Sequence, residues 1–122
     1  MKTKILLATT LLLCSFVLTA QTCEEQIEYL QDNYYGTTYN SPTSTAISKV
    51  TFYDATIDFR TVYFAVVCFK SKYSYGCNEY LYRVGSNTSI NYSLNYLDSA
   101  GKAFWSYIEP YGDNSSCAPD LN

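Results

Sequence analysis

Apolar side chains recur at helical spacing near both ends of the chain. Thr22 and Glu25 have the spacing of a capping box, and the apolar positions after them lie three or four residues apart. This pattern predicts an amphipathic helix over residues 23–33. Further on, Ser99 is a candidate N-cap and Pro110 a candidate stop. The stripe between them should dock a second helix on a sheet, and it consists of Phe104, Tyr107, Ile108 and Tyr111.

The centre of the chain predicts strands. Residues 47–53 and 79–84 are rich in β-branched and aromatic side chains. Residues 61–69 are apolar without polar alternation, which is typical of a central strand covered on both faces. Asp54 is expected to end the first strand, and the polar segment 36–44 is expected to connect rather than to pair. The short connections favour a three-stranded antiparallel meander.

Residues 87–97 fit two structures. Apolar and polar side chains alternate from Ile90 to Tyr96, as they would in a strand. Ile90, Leu94 and Leu97 also form a helical stripe. Because Asn, Ser and Tyr are weak helix formers, propensity does not decide between the two.

The first twenty residues have the pattern of an export signal. Lys2 and Lys4 precede an apolar run over residues 5–18, and Ala20 provides a cleavage site. The run is shorter than a membrane-spanning helix requires. Removal of residues 1–20 leaves no transmembrane segment, and it leaves 6 basic against 11 acidic side chains, a formal charge of −5. The sequence therefore predicts a secreted, periplasmic or cell-surface protein.

Four of the five cysteines follow the export signal. An even number in an oxidising compartment favours two disulfides over a metal site or a catalytic thiol, although four cysteines allow three pairings. Their positions favour Cys68 with Cys77, at the base of a loop over residues 69–76, and Cys23 with Cys117, which would join the two ends of the chain. In the chain-entropy model these bridges contribute about 3 and about 4.7 kcal/mol.

Composition narrows the possible chemistry. The chain has no His, which removes the usual general base and the commonest transition-metal ligand, so neither a metal nor a cofactor is predicted. The excess of acidic side chains argues against a nucleic-acid partner, because phosphate binding rests on Lys and Arg. Two carboxylate pairs remain as catalytic options, Asp54 with Asp58 and Glu109 with Asp113. A structural role explains these carboxylates better, in a turn for the first pair and at a helix end for the second. No catalytic residue is therefore predicted.

The loop over residues 69–76 is the sharpest candidate for ligand binding. It carries Lys70, Lys72, Tyr73 and Tyr75, and tyrosine offers a large contact area at a low conformational cost. A disulfide at its base would hold these side chains in place. The plainer interpretation is a hairpin whose tyrosines lie back on the sheet. Trp105 points away from the centre of its helical stripe and is a further candidate.

Eleven residues between positions 44 and 111 occur in an order and spacing that can be compared with a known family. They are Ser44, Ile47, Tyr53, Asp54, Tyr80, Tyr82, Ser99, Gly101, Phe104, Ile108 and Tyr111. In these positions the chain resembles the KTSC domain, a family named after a C-terminal appendage of some lysyl-tRNA synthetases. The chain lacks the Val-Pro that usually follows the Tyr-x-Tyr motif, and the loop before that motif is longer. The resemblance implies a small sheet followed by helical segments, which favours a helix over residues 87–97. It also brings a suggestion of RNA binding, which the acidic charge opposes.

These features predict one α+β domain, a three-stranded antiparallel meander packed by an N-terminal helix and C-terminal helical segments and stapled by disulfides. Residues 21–43 supply the first helix and a polar linker, residues 44–111 the KTSC-like domain, and residues 112–122 a polar tail. The expected function is that of a non-catalytic binding module for a protein or glycan. The alternative is a structural or surface-associated domain without a ligand site.

Overall fold

The computed structural model describes residues 22–73, 75–114 and 117. They form an α+β fold with helices on both faces of one sheet. The export signal predicted at residues 1–20 and most of the polar tail lie outside the described residues. None of the described helices is long and apolar enough to cross a membrane. In chain order the elements are α1 (Cys23–Asn33), β1 (Gly36–Asn40), β2 (Ile47–Ile57), β3 (Arg60–Lys70), β4 (Cys77–Val84), α2 (Thr88–Asn95), α3 (Ala100–Tyr107) and a 3₁₀ helix (Glu109–Asn114).

The sheet is an antiparallel meander, as predicted, but it has four strands rather than three. The expectation that residues 36–44 only connect is wrong, because β1 pairs with β2 from Gly36 opposite Tyr53 to Asn40 opposite Lys49. Four of the five β1 residues are exposed, so no apolar alternation marks this edge strand. Gly36 suits its place because a Cβ there would come within 2.6 Å of a methyl group of Thr51.

The second strand is longer than predicted. It runs to Ile57, and Asp54 pairs with Tyr63 inside the strand instead of ending it. Asp58 (φ 51°) and Phe59 (φ 63°) then form a two-residue turn into β3. Such a turn requires the left-handed backbone region, which Asn and Gly adopt more readily than Phe does.

Replacing Phe59 by Gly should stabilise the protein. The left-handed conformation costs an L residue roughly 1–2 kcal/mol, and glycine avoids this cost. Part of the gain is offset, because glycine gives the unfolded chain more conformational freedom to lose on folding. Phe59 is fully exposed, so little packing is lost with its ring. We expect urea denaturation of Phe59→Gly to show an unfolding free energy about 0.5–1 kcal/mol higher. Phe59→Ala keeps the Cβ and should change it by less than about 0.5 kcal/mol. A less stable glycine variant would contradict the strain argument.

The third strand is covered on both faces, as the sequence predicted. Ala65 and Val67 belong to a front cluster that includes residues of α2 and α3. Val66 belongs to a back cluster with α1 and Cys117. These three residues are at most 3% exposed. The sheet is therefore the middle layer of the domain.

Both helices predicted near the chain ends are confirmed. In α1, the Glu25 amide donates a hydrogen bond to the Thr22 hydroxyl (3.2 Å). In α3, the Lys102 amide donates to the Ser99 hydroxyl (3.2 Å). This helix ends at Tyr107, and the chain continues through Pro110 as the 3₁₀ helix.

Residues 88–95 form a helix, with its tyrosine face turned inward. Tyr92 is completely buried, and Tyr96 packs against the same front cluster. The stripe seen in the sequence is not the buried face, because Ile90, Leu94 and Leu97 are 61%, 76% and 83% exposed. The Tyr92 ring instead lies 5.6 Å from the rings of both Phe52 and Tyr96, measured between centroids.

Candidate functional site

The candidate binding loop projects from the end of the β3–β4 hairpin. Lys70 and Cys77 form the last pair of the two strands. A disulfide joins Cys77 to Cys68 across the base, with a Cα–Cα distance of 5.3 Å, which is the pairing that the sequence favoured. Because β3 extends through Lys70, the loop has six residues, 71–76, rather than eight. Its two ends are therefore held by the sheet and by a covalent bond.

The loop presents its aromatic side chains to solvent. Tyr73 and Tyr75 are 96% and 104% exposed, and Lys72 is exposed as well. Within the loop, the Ser71 amide donates a hydrogen bond to the Gly76 carbonyl (3.3 Å). The two tyrosines thus do not lie back on the sheet, and their rings are open to a partner.

Lys70 has a structural position at the base of the loop. Its ammonium group donates hydrogen bonds to the carbonyl oxygens of Pro42 (2.9 Å) and Ser44. Its backbone amide donates to the Ala46 carbonyl (2.7 Å). Of the predicted binding residues, Lys70 therefore holds the β1–β2 connection, while Lys72, Tyr73 and Tyr75 face solvent.

Trp105 lies on a different element from the loop. It is half-exposed on α3, and its ring meets Phe104 edge-on at 5.8 Å between centroids. Phe104 is buried and lies 5.2 Å from Phe69, near the end of β3. Trp105 is thus connected to the loop base through two core rings.

A groove lies beside the loop base and was not predicted from the sequence. One wall is formed by residues 40–46 and the other by residues 96–101, and together they enclose about 350 Å³. Ala46, which accepts the hydrogen bond from the Lys70 amide, is part of the first wall. The groove and the loop therefore belong to the same end of the molecule.

The groove is lined mainly by hydroxyl and backbone groups. Its first wall contains two serines and two threonines, and Asp98 is the charged residue in the lining. On the second wall, the amides of Ala100 and Gly101 lie in the first turn of α3, where backbone donors have no intrahelical acceptor. A Cβ added at Gly101 would meet no atom within 4 Å. The groove therefore offers hydrogen-bond donors and acceptors with little formal charge.

Buried hydroxyl groups lie next to the groove. Ser41 is 7% exposed, and its hydroxyl and that of Tyr92 have no hydrogen-bond partner in normal geometry among the described residues. Burial raises the pKa of Tyr92 to about 12; Tyr96 adds to the rise, and the Ser41 hydroxyl opposes it. Burial also raises the pKa of Tyr82, with smaller contributions from Glu109 and Tyr80. Both phenols therefore stay protonated to a higher pH than an exposed tyrosine does.

The first carboxylate pair considered for catalysis is widely separated. Asp54 lies inside β2 and Asp58 in the hairpin turn, four residues further along an extended chain. At about 3.3 Å per residue their Cα atoms lie roughly 13 Å apart. Glu109 begins the 3₁₀ helix, and the side chain of Asp113 lies outside the described ones. Within the described residues, no group of three or more Cys, Asp or Glu side chains is placed to hold a metal ion.

Many positions of the KTSC-like pattern have packing roles. Tyr82, Phe104 and Ile108 are buried in the front cluster with Ile47, and Tyr53 is buried in the back cluster. Tyr80 and Tyr111 pack at the edge of the front cluster. Ser44, Ser99 and Gly101 are different because all three line the groove, although Ser44 is distant from the other two in the sequence. No spacing rule within one element connects Ser44 with the other two, so only the fold reveals that it lines the same groove.

Comparison with known proteins identifies no relative of this chain. The chain matches no protein-family model, and no curated protein or solved structure is significantly similar to it. The similarity to the KTSC domain stays a prediction that rests on the residues themselves.

Proposed function

We propose that this protein is an exported, non-catalytic binding module. It binds a glycan with the loop over residues 71–76 and the adjacent groove. The observation that carries the proposal is the full exposure of Tyr73 and Tyr75 on a loop closed by a disulfide. Ordering a flexible loop opposes binding, and a closed loop has already lost part of that freedom. Two rings held in this way provide apolar contact area at a low entropic cost.

The lining of the groove supports a glycan as the ligand class. Sugars present many neutral hydroxyl groups, each able to donate and to accept hydrogen bonds. The serine and threonine hydroxyls, the Asp98 carboxylate and the first-turn amides of α3 offer complementary groups. The lining contains no Lys or Arg side chain to attract a phosphate or sulfate. A neutral or weakly cationic oligosaccharide fits this chemistry better than an anionic one.

The loop is tested by the triple variant Lys72→Ser, Tyr73→Ser and Tyr75→Ser, with Lys70 retained because it holds the β1–β2 connection. We expect the wild-type protein to bind a subset of sugars on a glycan array and the variant to lose this binding. The control is Tyr35→Ser with Phe59→Ser, which also removes two fully exposed rings, from outside the loop. Equal binding by the loop variant and the wild type would exclude the loop. If the wild type bound ligands on a protein array but none on the glycan array, the ligand class would be protein instead of glycan.

The groove is tested separately with Gly101→Gln. A side chain at this position has room, because a Cβ would meet nothing within 4 Å, and glutamine is a better helix former than glycine. We therefore expect the variant to fold with at least wild-type stability while its side chain fills the groove. Titration calorimetry with the sugar selected by the array should show at least tenfold weaker binding. Unchanged affinity would restrict the site to the loop.

A further inference from the structure

We propose that Lys70 is a positioning residue that joins the loop over residues 71–76 and the adjacent groove into one binding site. This inference rests on the proposed function and adds to it a residue that acts on the ligand through other residues. Lys70 is the last residue of β3 and pairs with Cys77, directly before the loop begins. The disulfide between Cys68 and Cys77 fixes the same part of the sheet. The half-buried side chain of Lys70 therefore extends from a rigid base.

Three hydrogen bonds connect Lys70 to the first wall of the groove. Its ammonium group donates to the carbonyl oxygens of Pro42 (2.9 Å) and Ser44, and its backbone amide donates to that of Ala46 (2.7 Å). All three acceptors belong to residues that line the groove. An ammonium group has three donors at the end of a flexible stem, so it can bind two carbonyl groups of one connection together. A single residue at the base of the loop thus contacts every second residue of the wall.

The wall itself is an irregular connection. Residues 41–46 lie in no helix or strand, and four of these six residues are exposed, so packing holds them weakly. Their hydrogen bonds to each other are local. The Ser44 amide donates to the Ser41 carbonyl (3.1 Å), and the Ile47 amide donates to the Ser44 hydroxyl (3.1 Å). Hydrogen bonds from a charged donor are stronger than those between neutral groups, so the ammonium group of Lys70 should determine where this wall lies.

Lys70 acts from behind the wall. Among the described residues, those that line the groove do not include Lys70. Without its ammonium group, the carbonyl oxygens of Pro42 and Ser44 would bind water, which imposes no fixed geometry on the connection. The wall's hydroxyl groups would then no longer be held at fixed distances from the first turn of α3. Ordering them again would oppose ligand binding.

Titration calorimetry of Lys70→Met tests the proposal, with the array oligosaccharide that the wild type binds most strongly as the probe. Methionine keeps a stem of similar length, and we expect about tenfold weaker binding because the charged donor is lost. Lys70→Arg should bind within about threefold of the wild type, since a guanidinium group also donates to carbonyl oxygens. The matched control is Lys49→Met, which changes the net charge equally. Lys49 lines a separate concavity together with residues of α1, so its replacement should leave the affinity unchanged.

Two further measurements separate positioning from direct contact and from general destabilisation. In a protein that already carries Gly101→Gln, the groove is filled, so Lys70→Met should weaken binding by less than about twofold more. Without any ligand, the amides of Ser44 and Ile47 should exchange with solvent about tenfold faster in Lys70→Met. Exchange at the buried Val67 of β3 should stay as in the wild type.

Three outcomes would overturn the proposal. The first is wild-type affinity in Lys70→Met, and the second is a tenfold loss that persists in the Gly101→Gln background, which would mean that Lys70 touches the ligand. The third is unchanged exchange at Ser44 and Ile47. If the wild type binds no sugar on the array, the proposed function fails instead, and amide exchange still decides whether Lys70 holds the wall.

Discussion

Removing the disulfide between Cys23 and Cys117 should lower the free energy of unfolding by about 4.7 kcal/mol in the chain-entropy model. The two cysteines are 94 positions apart, so the bridge closes nearly the whole described chain into one loop. The cost of closing a loop grows with its length, and a bridge that spans the domain therefore restricts the unfolded chain strongly. Total stabilities of small domains are about 5–15 kcal/mol, so the expected loss is between about a third and nearly all of the stability.

The structure also indicates which element should respond first. α1 contributes Ile27 and Leu30 to the back cluster, and Cys117 is buried in the same cluster. Without the bridge, the helix is held on the sheet by these apolar contacts and by a few hydrogen bonds, such as the one that the Gln31 amide donates to the Glu79 carboxylate (3.5 Å). We expect amides of α1 to exchange with solvent before those of β3 do.

Urea denaturation of Cys23→Ala with Cys117→Ala measures the effect. Alanine is preferred to serine because Cys117 is buried in an apolar cluster. The matched control is Cys68→Ala with Cys77→Ala, whose bridge spans only 9 positions and should contribute about 3 kcal/mol or less. If the long-range variant lost no more stability than this control, the chain-entropy account would not hold for this protein.

The domain should lose stability as the pH rises from about 10 to 12. Burial raises the pKa of Tyr92 from 10.0 to about 12, so in this window the unfolded chain releases a proton that the folded chain retains. Stability from a raised pKa is fully present below the pKa of the unfolded chain and is lost as the pH approaches that of the folded one. At 1.36 kcal/mol per pH unit, the loss from this residue is about 2–3 kcal/mol. Tyr82, whose pKa is also raised by burial, adds to the loss.

The variant Tyr92→Phe separates this effect from general alkaline damage. It keeps the ring contacts with Phe52 and Tyr96 and removes a hydroxyl that has no hydrogen-bond partner in normal geometry among the described residues. At pH 7 we expect a change in unfolding free energy of less than about 1 kcal/mol. At pH 11.5 the variant should be the more stable protein by about 2 kcal/mol. If the unfolding free energies of the wild type and of Tyr92→Phe changed in parallel from pH 9 to pH 12, Tyr92 would not be the residue that titrates on unfolding.

Local signals along the chain explain which elements were predictable. The two capped helices and the apolar β3 are specified by neighbouring residues, since caps and periodicity act within one element. β1 was not predicted because an edge strand with four exposed residues has no apolar pattern. Its strand conformation depends on backbone pairing with β2, which no local pattern indicates. The end of β2 was misplaced for a similar reason. Asp54 resembles a strand terminator, but its pairing with Tyr63 keeps it inside the hairpin.

The candidate site divides in the same way. Lys72, Tyr73 and Tyr75 could be identified because they are adjacent in the sequence and lie between two cysteines. The structural role of Lys70 could not, because it depends on the carbonyl groups of Pro42 and Ser44 on a different connection. The groove could not be predicted either, since its two walls are at least fifty residues apart in the sequence.

By itself, the sequence determined the helix caps, three strands of the antiparallel meander and the position of the tyrosine loop, because each depends on residue type and short spacing. It favoured the observed cysteine pairing but did not decide it. The tertiary structure alone decided which face of α2 is buried. The aliphatic and tyrosine faces are both apolar, so hydrophobicity did not distinguish them. The tyrosine face is buried because Phe52 and Tyr39 on the sheet meet it with aromatic contacts, and Ile90, Leu94 and Leu97 are consequently left in solvent.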